Sequence, residues 1–217
     1  MKSVLKININ KGLVFMIVCV TNCLHWIGFH LVNRFIENDV RVDGLSELTT
    51  DREEQLSFML GRNSSFSLYH DEDELKGNTY TDTVLIDAVM PGGIQSVKTY
   101  RVGAEKTESD CINISLPFVF GEWMPMDEQG MYVNQEYIRF DDTKFQTQAI
   151  YVGDFVDCLM QWMKIPVLPK QISLTRDKNV KTGKETLEKQ LYIRENRPID
   201  EKVSEVINHY KKLKNYL

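Results

Sequence analysis

Chemistry first becomes readable in the segment Val20-Thr-Asn-Cys-Leu-His-Trp-Ile-Gly28, between a run of apolar residues and a stretch with helical periodicity. A turn from a buried strand into a helix leaves the first N–H groups of the helix unbonded, at the positive end of its dipole. Such a turn can seat a phosphate or another anion. The histidines, His25, His30, His70 and His209, have no spacing that would make a ligand set. Cys19, Cys23, Cys111 and Cys158 form no C-x-x-C pair, so no metal is expected and a reduced cytoplasmic protein is the simplest reading.

The elements that must position this turn follow from hydrophobic period. Residues 13–20 are a continuous apolar stretch rich in Val, Ile and Phe, as in a strand buried on both faces. Leu24, Ile27, Gly28, Leu31, Val32, Phe35 and Ile36 then repeat at the spacing of one helical face. Residues 13–32 also form an uncharged run of 20 behind Lys2, Lys6 and Lys11, long enough for a membrane anchor. The polar His25, His30, Asn33 and Arg34 and the helical period argue for strand, turn and helix, with no membrane span. Further strands are expected at 39–43, 65–70, 83–89, 112–120, 172–175 and 190–193, and helices ending near Gly61, over 154–163 and over 200–216. Alternating strands and helices indicate an α/β sheet, parallel in its first half. At 217 residues one main domain is expected, with a first part over 1–110 that holds the strand–turn–helix and a remainder over 111–217. A net charge of −5 with only a local basic tail at 211–214 argues against a nucleic-acid partner.

The residues from Thr21 to Val32 resemble the extended short-chain dehydrogenase/reductase family, the NAD-dependent nucleotide-sugar epimerases and dehydratases. The family motif is Thr-Gly-x-x-Gly-x-Ile-Gly-x-His-Leu-Val; Thr21, Ile27, Gly28, His30, Leu31 and Val32 match it, while Asn22 and His25 replace the first two glycines. Four further segments follow in the family's order: Phe66–Asp71, Asp82-Thr-Val-Leu-Ile-Asp-Ala-Val-Met-Pro-Gly, Leu116-Pro-Phe-Val-Phe-Gly-Glu-Trp-Met-Pro125 and Ala149-Ile-Tyr-Val-Gly-Asp154. The resemblance implies a Rossmann-like, mostly parallel sheet with flanking helices, internally deleted, and a small C-terminal α+β substrate-domain remnant. It implies NAD as cofactor, held by Thr21, Asn22, His25, Ile27, Gly28, Ser46 and Asp71, with Ser46 where an acid usually binds ribose. Asn22 can keep the turn because Asn tolerates positive φ, whereas His25 brings an imidazole to where phosphate approaches backbone.

In these enzymes a Tyr acts as acid/base and a Lys four residues later lowers its pKa. Tyr100 is the candidate, but Ala104 stands where the Lys belongs, and Lys106 is rotated by about 200° around the expected helix. Pro117, Phe118 and Trp123 fall where the family contacts substrate. The interval between Gly93 and Tyr100 is too short for the family's helix and fifth strand, so the sheet is expected to lack a strand. The function implied is an impaired or inactive nucleotide-sugar epimerase/dehydratase-like protein of polysaccharide biosynthesis, cytoplasmic and homodimeric; the alternatives are a non-catalytic binding scaffold or remnant and, third, a membrane-anchored protein.

Overall fold

The computed structural model describes residues 16–103, 110–133, 135–176, 188–192 and 197–214. The apolar run divides as its two periods require: β1 spans Ile17–Thr21, and α1 spans Trp26–Glu37. Val18, Cys19 and Val20 are fully buried within the protein. Among the described residues no helix is long and apolar enough to cross a membrane. Then come β2 (Arg41–Leu45), α2 (Asp51–Leu60) and β3 (Phe66–Tyr69). Thr50 and Glu53 form a reciprocal capping box at the start of α2, satisfying N–H groups the helix cannot bond itself. A 3-10 turn (Glu72–Leu75), β4 (Thr79–Ile86), β5 (Gln95–Val102) and β6 (Ile112–Ser115) follow.

Residues 112–120, expected as one strand, divide at Pro117 into β6 and a short β7 (Val119–Phe120), because proline cannot donate to a ladder. The chain continues through the hairpin β8 (Gly130–Val133) and β9 (Glu136–Arg139), α3 (Thr143–Gln148) and β10 (Ile150–Tyr151). It ends with α4 (Val152–Met163), β11 (Gln171–Thr175), β12 (Glu188–Tyr192) and α5 (Ile199–Lys214).

The main sheet has eight strands in the order β12-β11-β6-β5-β4-β1-β2-β3, and every pairing in it is parallel. The order reverses between β1 and β4, the switch point at which α/β sheets open a crevice at the carboxyl ends of their strands. Val18, Val20, Val42, Val84, Val102 and Ile114 bury one face of the sheet in a single core with Leu31, Phe35, Phe155 and Leu159 of α1 and α4. On the opposite face Cys19, Leu75 and Tyr80 form a smaller cluster.

Two expectations are corrected here. The sheet does not lack a strand, and Tyr100 does not begin a helix: residues 95–102, with Val97, Thr99, Tyr100 and Val102, have the β-branched and aromatic content of a strand and form β5. What is short is the connection. Residues 87–94 return the chain from the end of β4 to the start of β5 without a helix. Eight residues reach at most about 28 Å, just enough to run back along an eight-residue strand of about 26 Å. Asp87 and Gly93 turn the two ends at φ 45° and 79°. Gly77 donates to the Gly93 carbonyl (3.0 Å) and Gly92 to the Glu72 carboxylate (3.1 Å), fastening the link.

A second apolar cluster, Phe120, Met131, Ile138, Phe145, Val203 and Val206, forms the C-terminal α+β part, and Trp26 and Tyr151 pack against both cores. The two parts are also joined by an ion pair between Lys202 of α5 and Asp154 of α4, whose side chains are 2% and 9% exposed. Removing one partner of such a pair leaves a buried charge uncompensated. Lys202→Met is therefore expected to lower unfolding free energy by about 3 kcal/mol or more, with Lys202→Met/Asp154→Leu recovering most of the loss, as read by urea denaturation.

Candidate functional site

The site is built from the carboxyl ends of the strands on either side of the switch point. Asn22 follows β1 with φ 48°, the left-handed turn that its identity allows. Its side-chain amide donates to the Ile86 carbonyl at 2.7 Å, and the Ile86 N–H donates to the Thr21 hydroxyl at 3.3 Å. These two bonds close the β1–β4 seam just below the crevice. His25 is the N-cap of α1 and gives no side-chain cap; the first helical bond runs from the Phe29 N–H to the His25 carbonyl. The N–H groups of Trp26, Ile27 and Gly28 thus stand at the open end of α1. A β-carbon on Gly28 would lie 2.4 Å from the Asn22 carbonyl oxygen, so the helix approaches the turn this closely only with glycine there.

A cleft of about 250 Å³ opens at this point. His25, Trp26 and Ile27 line it from the cap and first turn of α1, Ile86 and Asp87 from the end of β4 and just beyond, Val102 and Gly103 likewise from β5, and Leu116 and Pro117 from just past β6. Met131, Tyr132 and Val133 of β8 form the outer wall. The His25 Nδ1 is buried and has no hydrogen-bond partner. Burial holds the His25 imidazole below its usual pKa, against the pull of Asp87 and Glu53, so the ring is neutral near pH 7.

The other expected residues are distributed differently. Pro117 lines the cleft, while Phe118 packs beside the C-terminal cluster with the Lys144 ammonium 4.7 Å from its ring centre. Trp123 lies outside the cleft, against His209 (4.9 Å) and Phe29 (6.0 Å). Ser46 sits just beyond β2, buried, with its carbonyl accepting from His70 Nδ1 (3.0 Å). Asp71 caps the 3-10 turn through a bond from the Asp73 N–H (2.9 Å). Tyr100 is fully buried between β4 and β6 and is not among the residues lining the cleft; burial together with Asp82 raises its pKa. Lys106 lies outside the described residues. Among the described residues no cluster of His, Cys, Asp and Glu is grouped to hold a metal ion.

Beneath the cleft His30 donates through Nε2 to the Glu122 carbonyl (3.1 Å), and the Tyr151 hydroxyl donates to the Glu122 carboxylate (3.0 Å), fixing α1 against β7 and β10. Sequence reading missed Asp87, Gly103 and Tyr132. Asp87 follows β4 in the motif already noted; Tyr132 comes, with Met131 and Val133, from a hairpin that no sequence signal had marked.

No family model matches the chain, and no curated protein does. Among solved structures, the chain is similar to the yeast methylglyoxal/isovaleraldehyde reductase Gre2 in its complex with NADPH. That likeness has a TM-score of 0.57 at 11% identity, over 92% of this chain and 100% of the other. Vestitone reductase from alfalfa matches with a TM-score of 0.44 at 11% identity, over 70% and 74% of the two chains. The similarity to the yeast protein shows a shared Rossmann-like fold.

Burial lowers the pKa of His25, His30 and His209 from 6.5. As pH falls through about 6.5 the unfolded chain takes up protons that the folded chain does not, so stability falls until pH drops below the folded pKa values. Urea midpoints are expected to decrease from pH 7 to pH 5. The slope should be shallower in His25→Asn/His209→Asn; an unchanged slope would remove burial of these rings as its cause.

Proposed function

We propose that this protein binds a nicotinamide dinucleotide in the switch-point cleft and does so as a binding module, without the tyrosine–lysine acid/base pair of the reductases. The observation that carries the reading is the open end of α1: the N–H groups of its first turn have no intrahelical partner, and His25, Trp26 and Ile27 line the cleft at the end of β1. These donors suit a pyrophosphate. In place of the usual glycine, His25 brings an imidazole to the cleft wall, its Nδ1 buried and unpartnered. Ile86, Val102 and Leu116 supply apolar walls for a planar ring beyond it.

Bound nicotinamide would supply hydride chemistry; what the chain supplies is orientation and water exclusion. Tyr100 cannot reach a ligand in the cleft. Residues 103–111, where the family's catalytic helix belongs, contain no tyrosine. Tyr132 does line the cleft, but the residue four positions later is Glu136. A proton relay of the tyrosine–lysine type therefore has no second member there. For the second ligand we keep the class that the sequence resemblance implies, a nucleotide sugar of polysaccharide synthesis, seated against Pro117 and Tyr132.

The residues past β2 favour NAD over NADP. Glu47 is exposed there, and a carboxylate repels a 2′-phosphate while it can accept from a 2′-hydroxyl. Calorimetric titration is expected to give NADH binding at least about tenfold tighter than NADPH, a difference of about 1.4 kcal/mol, with Glu47→Arg narrowing it. Absence of NADH binding from folded protein would overturn the dinucleotide reading.

Turnover is tested separately, by following NADH oxidation with small aldehydes and NAD reduction with nucleotide sugars. Rates at the blank level are expected, unchanged in Tyr100→Phe. Turnover abolished by Tyr132→Phe would sink the binding-module reading and make Tyr132 the acid/base.

A further inference from the structure

A second pocket, of about 290 Å³, lies on the other side of residues 123–126. Its walls are Trp123 and Met126, Gln55 of α2, and His209, Tyr210 and Leu213 of α5, with Arg52 and Lys214 at the rim. Met124 lines this pocket and the switch-point cleft alike, so the two are neighbours divided by one strap.

The strap is held in an unfavourable conformation. Trp123 has φ 69°, which a bulky side chain rarely adopts. The Arg52 guanidinium donates to the Trp123 carbonyl at 3.0 Å, and the indole is gripped edge-on by His209 and Phe29. Strain of this kind persists where surroundings over-determine it and gathers at ligand sites. Here it turns the indole to form a wall of the pocket.

We propose that this pocket is a second ligand site and that its ligand is a planar aromatic carboxylate of one or two fused rings. Size sets the ring count: a cavity of about 150 Å³ holds a benzene, so this one takes a bicyclic ring with a small substituent. Trp123, His209 and Tyr210 offer ring faces and edges, and Met126 offers a polarizable thioether. Burial keeps His209 neutral near pH 7, so the cations available to the ligand are Arg52 and Lys214. Asp51 stands on the same rim and disfavours more than one negative charge. A carboxylate between the two cations accepts charge-assisted hydrogen bonds that a neutral amide cannot.

The probe is 1-naphthoate, titrated calorimetrically into the full chain, with 1-naphthamide as the neutral control. One naphthoate per chain is expected, with the amide at least about tenfold weaker. Leu213→Trp, at a half-buried position on the pocket wall, should abolish binding. Lys214→Glu, at an exposed position that folding does not need, should weaken it at least about tenfold. NADH isotherms should be the same with and without saturating naphthoate. No naphthoate binding to folded protein, wild-type affinity in Lys214→Glu, or competition with NADH would each overturn the second site. The naphthoate arms do not depend on NADH binding, so failure of the dinucleotide reading would be seen separately.

Discussion

The seam between β1 and β4 is where the architecture is decided. Parallel strands meeting at a switch point diverge at their carboxyl ends, and something must fix how far. Here the Asn22 amide holds the Ile86 carbonyl, and the Thr21 hydroxyl accepts from the Ile86 N–H. Because the same Asn22 makes the left-handed turn into α1, one residue sets both the width of the crevice and the direction in which the helix points its free N–H groups. Gly28 completes the arrangement by letting α1 sit against the Asn22 carbonyl. A glycine at position 22 would permit the turn but could not hold the strand opposite.

The short β4–β5 link has the second-largest consequence. An extended return of residues 87–94 replaces a crossover helix, so the sheet keeps its strand order while giving up helical cover between these strands. The link leaves β4 through Asp87, whose carboxylate lies where a β-carbon on Gly103 would have to be. Asp87 and Gly103 thereby form one side of the cleft. The abbreviation that leaves β4 and β5 without a crossover helix also shapes the place where a ligand can sit.

Much of this was legible in the sequence where the signal is local. The apolar run followed by a 3.6-residue period gave β1 and α1; residues 65–70 and 172–175 gave β3 and β11 within a residue or two. Asn22 as the turn residue follows from its tolerance of positive φ. Residues 95–102 were misread because motif order was allowed to outrank composition: Tyr100 was matched to a catalytic helix although its neighbours are strand formers. The hairpin carrying Tyr132 and the wall around Trp123 were invisible for another reason. The hairpin packs in the C-terminal cluster and the wall around Trp123 meets α2 and α5, across separations that no periodicity records.

The segment from Gly121 to Met126 shows how a recognisable motif can retain its place and change its work. Gly121 admits the first turn of α4, since a β-carbon there would meet Val152. Glu122 takes the Tyr151 hydroxyl and offers its carbonyl to His30, so it ties α1 to the C-terminal part. Trp123 turns away from the cleft at positive φ under the hold of Arg52, and Met124 fills the space between the two clefts. Each residue is explained by a contact rather than by the motif. The wall that closes the switch-point cleft is therefore also a wall of the pocket behind it, with Met124 lining both.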